Sequence, residues 1–433
     1  MPDHRYGIES LCLHAGQQPD PVTGARAVPI YQTTSYVFDS PEHAASLFNL
    51  QTFGNVYSRI SNPTVSVLEE RVAALEGGRA ALAVSSGLAA QMTALLTLCE
   101  AGDEIVAARN LYGGSYSQLD VSLRRLGITT TFVDPSDPAA FAAAITDRTR
   151  AVYGEIIGNP GLNVFDIAAV ADITRAAGVP LVIDNTLASP YLCRPIEFGA
   201  DIVVHSATKY IGGHGTTMGG VLVESGNFPW DNGRFPQMVA PSPGYHGVRF
   251  YETFGNFGFT MKARMETLRT FGQALSPFNA FMLLQGLETL HVRMDRHVAN
   301  ARAVAEFLAQ HPSVAWVNYP GLADSPERVR VDKYLPRGAG GILCFGIVGG
   351  QAEGERFIDG LQMISHLANV GDARTLVIHP ASTTHRQLSE AEQRAAGVPP
   401  DMLRLSIGIE TLDDILWDLD QALARVGTTG SVA

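Results

Sequence analysis

An α/β fold built on a largely parallel sheet, followed by a smaller α+β domain, is predicted by three observations. From residue 63 to about 225, short β-rich apolar runs alternate with amphipathic helical stretches, the pattern of a parallel sheet covered on both faces. From Phe228 to about Gly258 that alternation gives way to proline, glycine and aromatic residues. Finally, 433 residues exceed what one hydrophobic core ordinarily supports, so at least two domains are expected. The division that follows is an N-terminal arm over 1–62, a large domain over 63–275 with an insert at about 228–258, and a small domain over 276–433.

The arm shows little periodicity and is rich in Thr, Ser, Pro and Gly. Asn62-Pro63 then supplies an N-cap with proline at the first helical position. Val65, Leu68, Val72 and Leu75 follow at helical spacing, and Gly77-Gly78 ends the helix. Strands are expected at Ala80–Val84, Glu104–Ala107, Thr129–Val133, Ala151–Ile157, Leu181–Ile183, Ile202–Val204 and Gly220–Val223. Helices are expected at Leu88–Leu98, Tyr116–Leu126, Pro138–Ile145 and Ile167–Ala177. Beyond the insert, a long helix is predicted over Ala280–Leu308 with a break near Gly286. Strands follow around Val314–Val317, Leu343–Ile347 and Leu403–Ile407, and a last helix over Asp413–Val426. There is no internal repeat and no low-complexity segment.

Composition narrows the function classes. Hydrophobic residues make up 46% and charged residues 17%, which is ordinary for a globular chain. A formal net charge of −12 argues against nucleic acid as the main partner and against a polybasic membrane contact. Four cysteines form no CxxC pair and no zinc spacing. Cys99, Cys193 and Cys344 lie in apolar stretches and read as small core residues, while Cys12 stands alone. His205, His214, His246, His379 and His385 have no firm ligand spacing, so no metal is expected. The polar start and the absence of a long apolar run give a cytoplasmic protein as the default expectation.

Three stretches carry chemistry, and each falls at a predicted strand end, where ligands of such sheets bind. In Ile202-Val203-Val204-His205-Ser206-Ala207-Thr208-Lys209-Tyr210, a strand runs into Ser-x-Thr-Lys and a glycine-rich turn. Removal from water favours the neutral, nucleophilic form of a lysine amine, as Schiff-base chemistry needs, and the hydroxyls of Ser206 and Thr208 suit a phosphate. The bland alternative is an exposed loop lysine. In Leu181-Val182-Ile183-Asp184-Asn185, a carboxylate ends an apolar strand, where it needs a partner such as a protonated ring nitrogen. Otherwise Asp184 merely caps a loop. Ser85-Ser86-Gly87-Leu88-Ala89-Ala90 joins a strand to a helix whose first amides can hold an anion, although it matches neither the P-loop nor GxGxxG. Phosphate cradle, ring partner and lysine agree with one another.

With these residues in place, the sequence resembles the cystathionine γ-synthase-like family of Cys/Met-metabolism pyridoxal-phosphate enzymes over nearly its whole length. Further matching pieces are Tyr57-Ser58-Arg59-Ile60-Ser61-Asn62-Pro63-Thr64, Tyr112-Gly113-Gly114, Glu155 with Asn159-Pro160, and Arg404-Leu405-Ser406-Ile407-Gly408. A narrower likeness is to the branch acting on O-acetyl-L-homoserine. It rests on Pro241-Ser242-Pro243-Gly244-Tyr245-His246-Gly247, Asn369-Val370-Gly371-Asp372-Ala373-Arg374-Thr375 and His379-Pro380-Ala381-Ser382-Thr383-Thr384-His385.

The resemblance implies the type I aminotransferase fold and pyridoxal 5'-phosphate as cofactor, carried as a Schiff base on Lys209. It implies that Gly87, the amide of Leu88, Ser206 and Thr208 hold the phosphate, joined by Tyr57 and Arg59 from a neighbouring subunit. Tyr112 is expected to stack on the ring and act at the leaving group, Asn159 to contact the ring hydroxyl, and Asp184 to pair with the ring nitrogen. Arg404 is expected to pair bidentately with the substrate carboxylate. Asn369 stands where relatives place a serine that helps hold that carboxylate. The implied reaction is γ-replacement on O-acetyl-L-homoserine by sulfide or methanethiol, giving homocysteine or methionine and acetate. The implied assembly is a homo-oligomer, a tetramer built from dimers that share active sites. Cystathionine synthesis, use of the O-succinyl ester and methionine γ-lysis stay open as alternatives on the same scaffold. Gly114, where the lyases usually carry a cysteine, weighs against the last.

Overall fold

A seven-stranded sheet lies at the centre of the computed structural model, which describes residues 5–383, 386, 393 and 397–426. His385, one of the histidines considered above, and Thr384 lie outside the described residues, as do both ends of the chain. The strands are β1 (Ala80–Val84), β2 (Glu104–Ala108), β3 (Thr129–Val133), β4 (Thr149–Glu155), β5 (Leu181–Asp184), β6 (Ile202–His205) and β7 (Gly220–Glu224). Their spatial order is β1-β7-β6-β5-β4-β2-β3. From β3 to β6 every neighbour pair is parallel, and β7 alone runs against β6 and β1. Leu181, Val182 and Ile183 of β5 are fully buried, as a strand covered on both faces requires.

The helices that cover this sheet begin where local chemistry favours it. Asn62 caps Pro63–Glu76 by accepting from Thr64 N, and Gly77 closes that helix at φ 72°, a left-handed turn that glycine enters freely. Ser86 caps Gly87–Leu98 by accepting from Ala89 N. The helix expected over Tyr116–Leu126 is not continuous. It opens at Gly113–Ser117, widens into a π-turn at Gln118–Ser122 and ends as a 3₁₀ turn at Arg124–Leu126.

A five-stranded sheet follows in the smaller C-terminal domain, in the order β10-β11-β12-β9-β8. Its strands are β8 (Val314–Asn318), β9 (Ile342–Ile347), β10 (Ser365–His366), β11 (Leu376–Ile378) and β12 (Met402–Ser406). The helical break predicted near Gly286 falls instead at Thr289, between Pro277–Glu288 and Leu290–Gln310. Gly286 stays inside the first helix because it is a contact point. A Cβ there would come within 2.3 Å of Ile211 O and 2.4 Å of Gly212 O, so its glycine lets this helix press on the turn after Lys209.

The first 62 residues hold two helices, Ile8–His14 and Pro41–Phe48, that their composition did not announce. The aromatic insert is packed, with Trp230 buried and stacked on Phe259 at 5.3 Å. All four cysteines are buried free thiols. Among the described residues no helix is long and apolar enough to cross a membrane, and no group of His, Cys, Asp and Glu could hold a metal ion.

Candidate active site

The carboxyl ends of β4, β5 and β6 stand side by side, with Glu155 in register with Asp184 and Asp184 with Val204. A cavity of about 400 Å³ opens there. Its wall includes Gly87, Leu88, Ser206 and Thr208 at one end and Tyr112, Asn159 and Asp184 farther along. Lys209, Asn369 and Arg404 line the same cavity. A larger cleft of about 670 Å³, between residues 47–70 and 244–269, holds none of these.

The phosphate-sized end is shaped by close packing. A Cβ on Gly87 would lie 2.6 Å from Ser206 Cβ, and one on Gly220 would lie 1.9 Å from Ser86 O. The helix N-terminus can therefore sit directly against the start of the Ser206–Lys209 turn. Ser86 takes the amides of Ala89 and Ala90 through its side chain and carbonyl. The preceding amides, Gly87 and Leu88, keep no acceptor among the described residues and are free for an anion. Ser206 N donates to Thr186 Oγ1 at 2.8 Å, and Thr208 Oγ1 exchanges hydrogen bonds with Gly219.

Lys209 sits after β6, and its Nζ donates to Asn369 Oδ1 at 2.6 Å. Burial first, and the nearby Arg404 charge second, push the Lys209 amine below the usual lysine range, toward the neutral form. Asp184 Oδ1 accepts from Thr186 N at 2.8 Å, and its Oδ2 lies 3.4 Å from the Tyr153 hydroxyl. Burial raises the Asp184 carboxyl while the Thr186 hydrogen bonds oppose the shift, so a cationic partner would complete the site. Arg404, in β12, donates from Nη1 to Asn159 Oδ1 at 3.0 Å. Its half-buried guanidinium has no carboxylate partner among the described residues and is available to an anion.

The donor set fits pyridoxal 5'-phosphate. There is a helix N-terminus with two unclaimed amides and hydroxyls for the phosphate, a carboxylate for the ring nitrogen, and a buried amine for the aldehyde. Tyr57 and Arg59 are not in this wall. They sit on the arm, with the Arg59 guanidinium 5.4 Å from the centre of the Tyr57 ring.

Several wall residues were not singled out from the sequence. Gln91 is buried, accepts from the Tyr153 hydroxyl at 3.0 Å, and has no partner for its Nε2 among the described residues. It lies four residues after Gly87, one helical turn along the same face, which is the signal that could have found it. Glu155 ends its strand as Asp184 does, yet received no role. Thr186, Ser115 and Met218 are further wall residues that were given no role. The histidines serve structure: His205 meets Glu76 at 2.6 Å, His214 meets Gly212 O, and His379 lies between Ser382 and Pro400 O.

Comparison with known proteins gives the family. The family described as Cys/Met metabolism PLP-dependent enzyme matches residues 9–424. The O-acetyl-L-homoserine sulfhydrylase of Leptospira meyeri is 55% identical over 427 residues, covering 96% of this chain and 97% of that one. The homocysteine synthase of Schizosaccharomyces pombe is 54% identical, with 98% and 99% covered. A crystal structure from Campylobacter jejuni, described as an O-acetylhomoserine (thiol)-lyase with a pyridoxyl-lysine phosphate residue, superposes with a TM-score of 0.94 at 39% identity. It covers 97% of this chain and 100% of that one.

Proposed function

The chain belongs to the Cys/Met metabolism PLP-dependent enzyme family, and from that premise we propose that it catalyses γ-replacement on O-acetyl-L-homoserine. Sulfide, or a small thiol such as methanethiol, displaces acetate. The γ-carbon–oxygen bond breaks, a carbon–sulfur bond forms, and homocysteine or methionine results. The observation that carries this reading is the convergence of Lys209, Asp184, Arg404 and an unclaimed helix N-terminus on one cavity.

When bound, the cofactor supplies an electrophilic aldehyde and a ring that draws electron density from the substrate's α-carbon. The chain's own groups do the rest. Gly87 N, Leu88 N, Ser206 and Thr208 would grip the phosphate, Asp184 would hold a proton on the ring nitrogen, and Asn159 would contact the ring hydroxyl. Arg404 binds the substrate carboxylate, with Asn369 beside it. Lys209 Nζ, once released from the coenzyme, takes the α-proton and returns protons to substrate carbons. The Tyr112 hydroxyl moves a proton at the departing acetate. Burial of the cavity strengthens each of these contacts and limits attack by water.

The cations lining the cavity within one chain are Lys209 and Arg404 among the described residues. Tyr57 and Arg59 from a second copy would add phosphate contacts, which requires at least a dimer, and we read the assembly as a tetramer built from two such dimers. The test has two arms. Borohydride reduction of coenzyme-loaded protein, followed by peptide mapping, should leave the label on the peptide containing Ser206-Ala207-Thr208-Lys209. Turnover of O-acetyl- against O-succinyl-L-homoserine with sulfide should give homocysteine chiefly from the acetyl ester. Label elsewhere, or no homocysteine from either ester, defeats the reading.

A further inference from the structure

Two acidic side chains end neighbouring strands at the floor of the cavity, and the reaction described above uses one of them. Glu155 closes β4 and Asp184 closes β5, in register. Parallel neighbours in register place their side chains on one face of the sheet, and two like charges so placed repel. Their surroundings are unequal. Asp184 has Thr186 N on one oxygen, the Tyr153 hydroxyl near the other, and His205 close enough to favour its charge. Glu155 is 7% exposed, and one donor reaches it: Tyr112 N, 2.8 Å from Oε1.

That donor matters because of what Tyr112 does. It stands at the start of the helical turn Gly113–Ser117, and its own side chain caps nothing. Its ring lies over Gly114, where a Cβ would come within 2.5 Å of it. The ring therefore rests on backbone, and Glu155 is the side chain that fixes that backbone at Tyr112.

We propose that Glu155 is a positioning residue that holds Tyr112 over the cavity through its backbone amide, and does so as an uncharged acid, leaving Asp184 as the single negative charge. The proposal rests on the reading of the cavity as the coenzyme site. The charged and titratable groups sharing that space are Asp184 from β5, Tyr153 from β4, Tyr112 after β2, Lys209 after β6 and Arg404 from β12. Burial and then the Asp184 charge push the Glu155 carboxyl well above its ordinary range, in keeping with this division. A coupled pair of this kind releases its two protons in well-separated steps.

The experiment compares Glu155→Gln and Glu155→Ala with the unaltered, coenzyme-loaded enzyme. Loss of the anchor in Glu155→Ala should lower kcat on O-acetyl-L-homoserine about ten-fold or more. Glu155→Gln keeps a carbonyl for Tyr112 N and adds no charge, so it should restore most of that loss and leave the pH profile in place. Difference infrared spectra of unaltered protein minus Glu155→Gln should show a protonated-carboxyl C=O band, with and without coenzyme. A Glu155→Gln enzyme as impaired as Glu155→Ala, or a difference spectrum showing a carboxylate band instead, overturns the proposal. If Glu155→Ala does not fold, the infrared difference and the Glu155→Gln pH profile still decide it. Failure of the reaction itself would silence all three enzymes and leave the infrared result standing.

Discussion

The two sheets meet at one cavity and build it by different means. In the seven-stranded sheet, Glu155, Asp184 and the Ser206–Lys209 turn lie at or just beyond strand ends, so the sheet's own hydrogen bonds fix their spacing. In the five-stranded sheet, Arg404 sits in the middle of β12, between Cys344 and Ile378, and Asn369 lies in the loop joining β10 to β11. Those two reach the cavity only because the sheets pack against each other. The Arg404–Asn159 hydrogen bond crosses that junction, and Gly371 rests on the Lys209–Tyr210 backbone, where a Cβ would come within 2.8 Å of Tyr210 N. On the function proposed above, the coenzyme side of the site would belong to one sheet, and the substrate side would be lent by the other. Changes in the first should disturb coenzyme and turnover together; changes in the second should disturb substrate alone.

The largest expected effect is in the first sheet. Lys209→Ala should abolish homocysteine formation, and steady-state turnover close to the unaltered rate would break the comparison at its root. Arg404→Lys comes next, on the other side. Replacing a planar fork with a point charge should weaken substrate binding by about 1.5–3 kcal/mol, with coenzyme affinity unchanged. A titration in which coenzyme binding falls in parallel with KM would erase the distinction between the sheets. Gly87→Ala returns to the coenzyme side. Its Cβ would meet Ser206 Cβ at 2.6 Å, and the strain of about 1–3 kcal/mol should appear as weaker coenzyme binding in a fluorescence titration.

A last prediction concerns pH rather than turnover. His297 is fully buried against Ile407 O, and burial pushes its pKa down from 6.5 to about 4. The folded chain then binds fewer protons than the unfolded one between those values, so stability falls as pH drops through that window. Denaturant unfolding of His297→Phe should show a shallower decline from pH 6.5 to 4, whatever its absolute stability. An unchanged slope would show that His297 does not link stability to pH.

Much of the coenzyme side was legible in the sequence for the same reason that it is geometrically simple. A carboxylate closing an apolar strand, and a lysine just past another, are costly placements that announce themselves. Thr129–Val133 and Ile167–Ala177 were also read to the residue, because β-branched runs and helical periodicity act locally. Gln91 and Thr186 escaped because a buried amide or hydroxyl on a helix or turn looks like any polar residue until its neighbours are known. Glu155 was matched in the sequence but given no role, because the contact it makes is with a backbone amide 43 residues away. β10 and β11 are too short to show periodicity, and the helical break moved to Thr289 because Gly286 was needed for contact rather than for a bend.

The bond between Arg404 and Asn159 spans 245 positions of chain. The cavity wall draws on residues from Ser86 to Arg404, so a chain interrupted before β12 would lack Arg404, the proposed substrate anchor. Coenzyme capture, by contrast, adds its binding energy once the first sheet's residues are in place, and at a coenzyme concentration a hundred times Kd that gain reaches about 2.7 kcal/mol. Supply of the coenzyme would then raise the stability of the folded chain as well as its turnover.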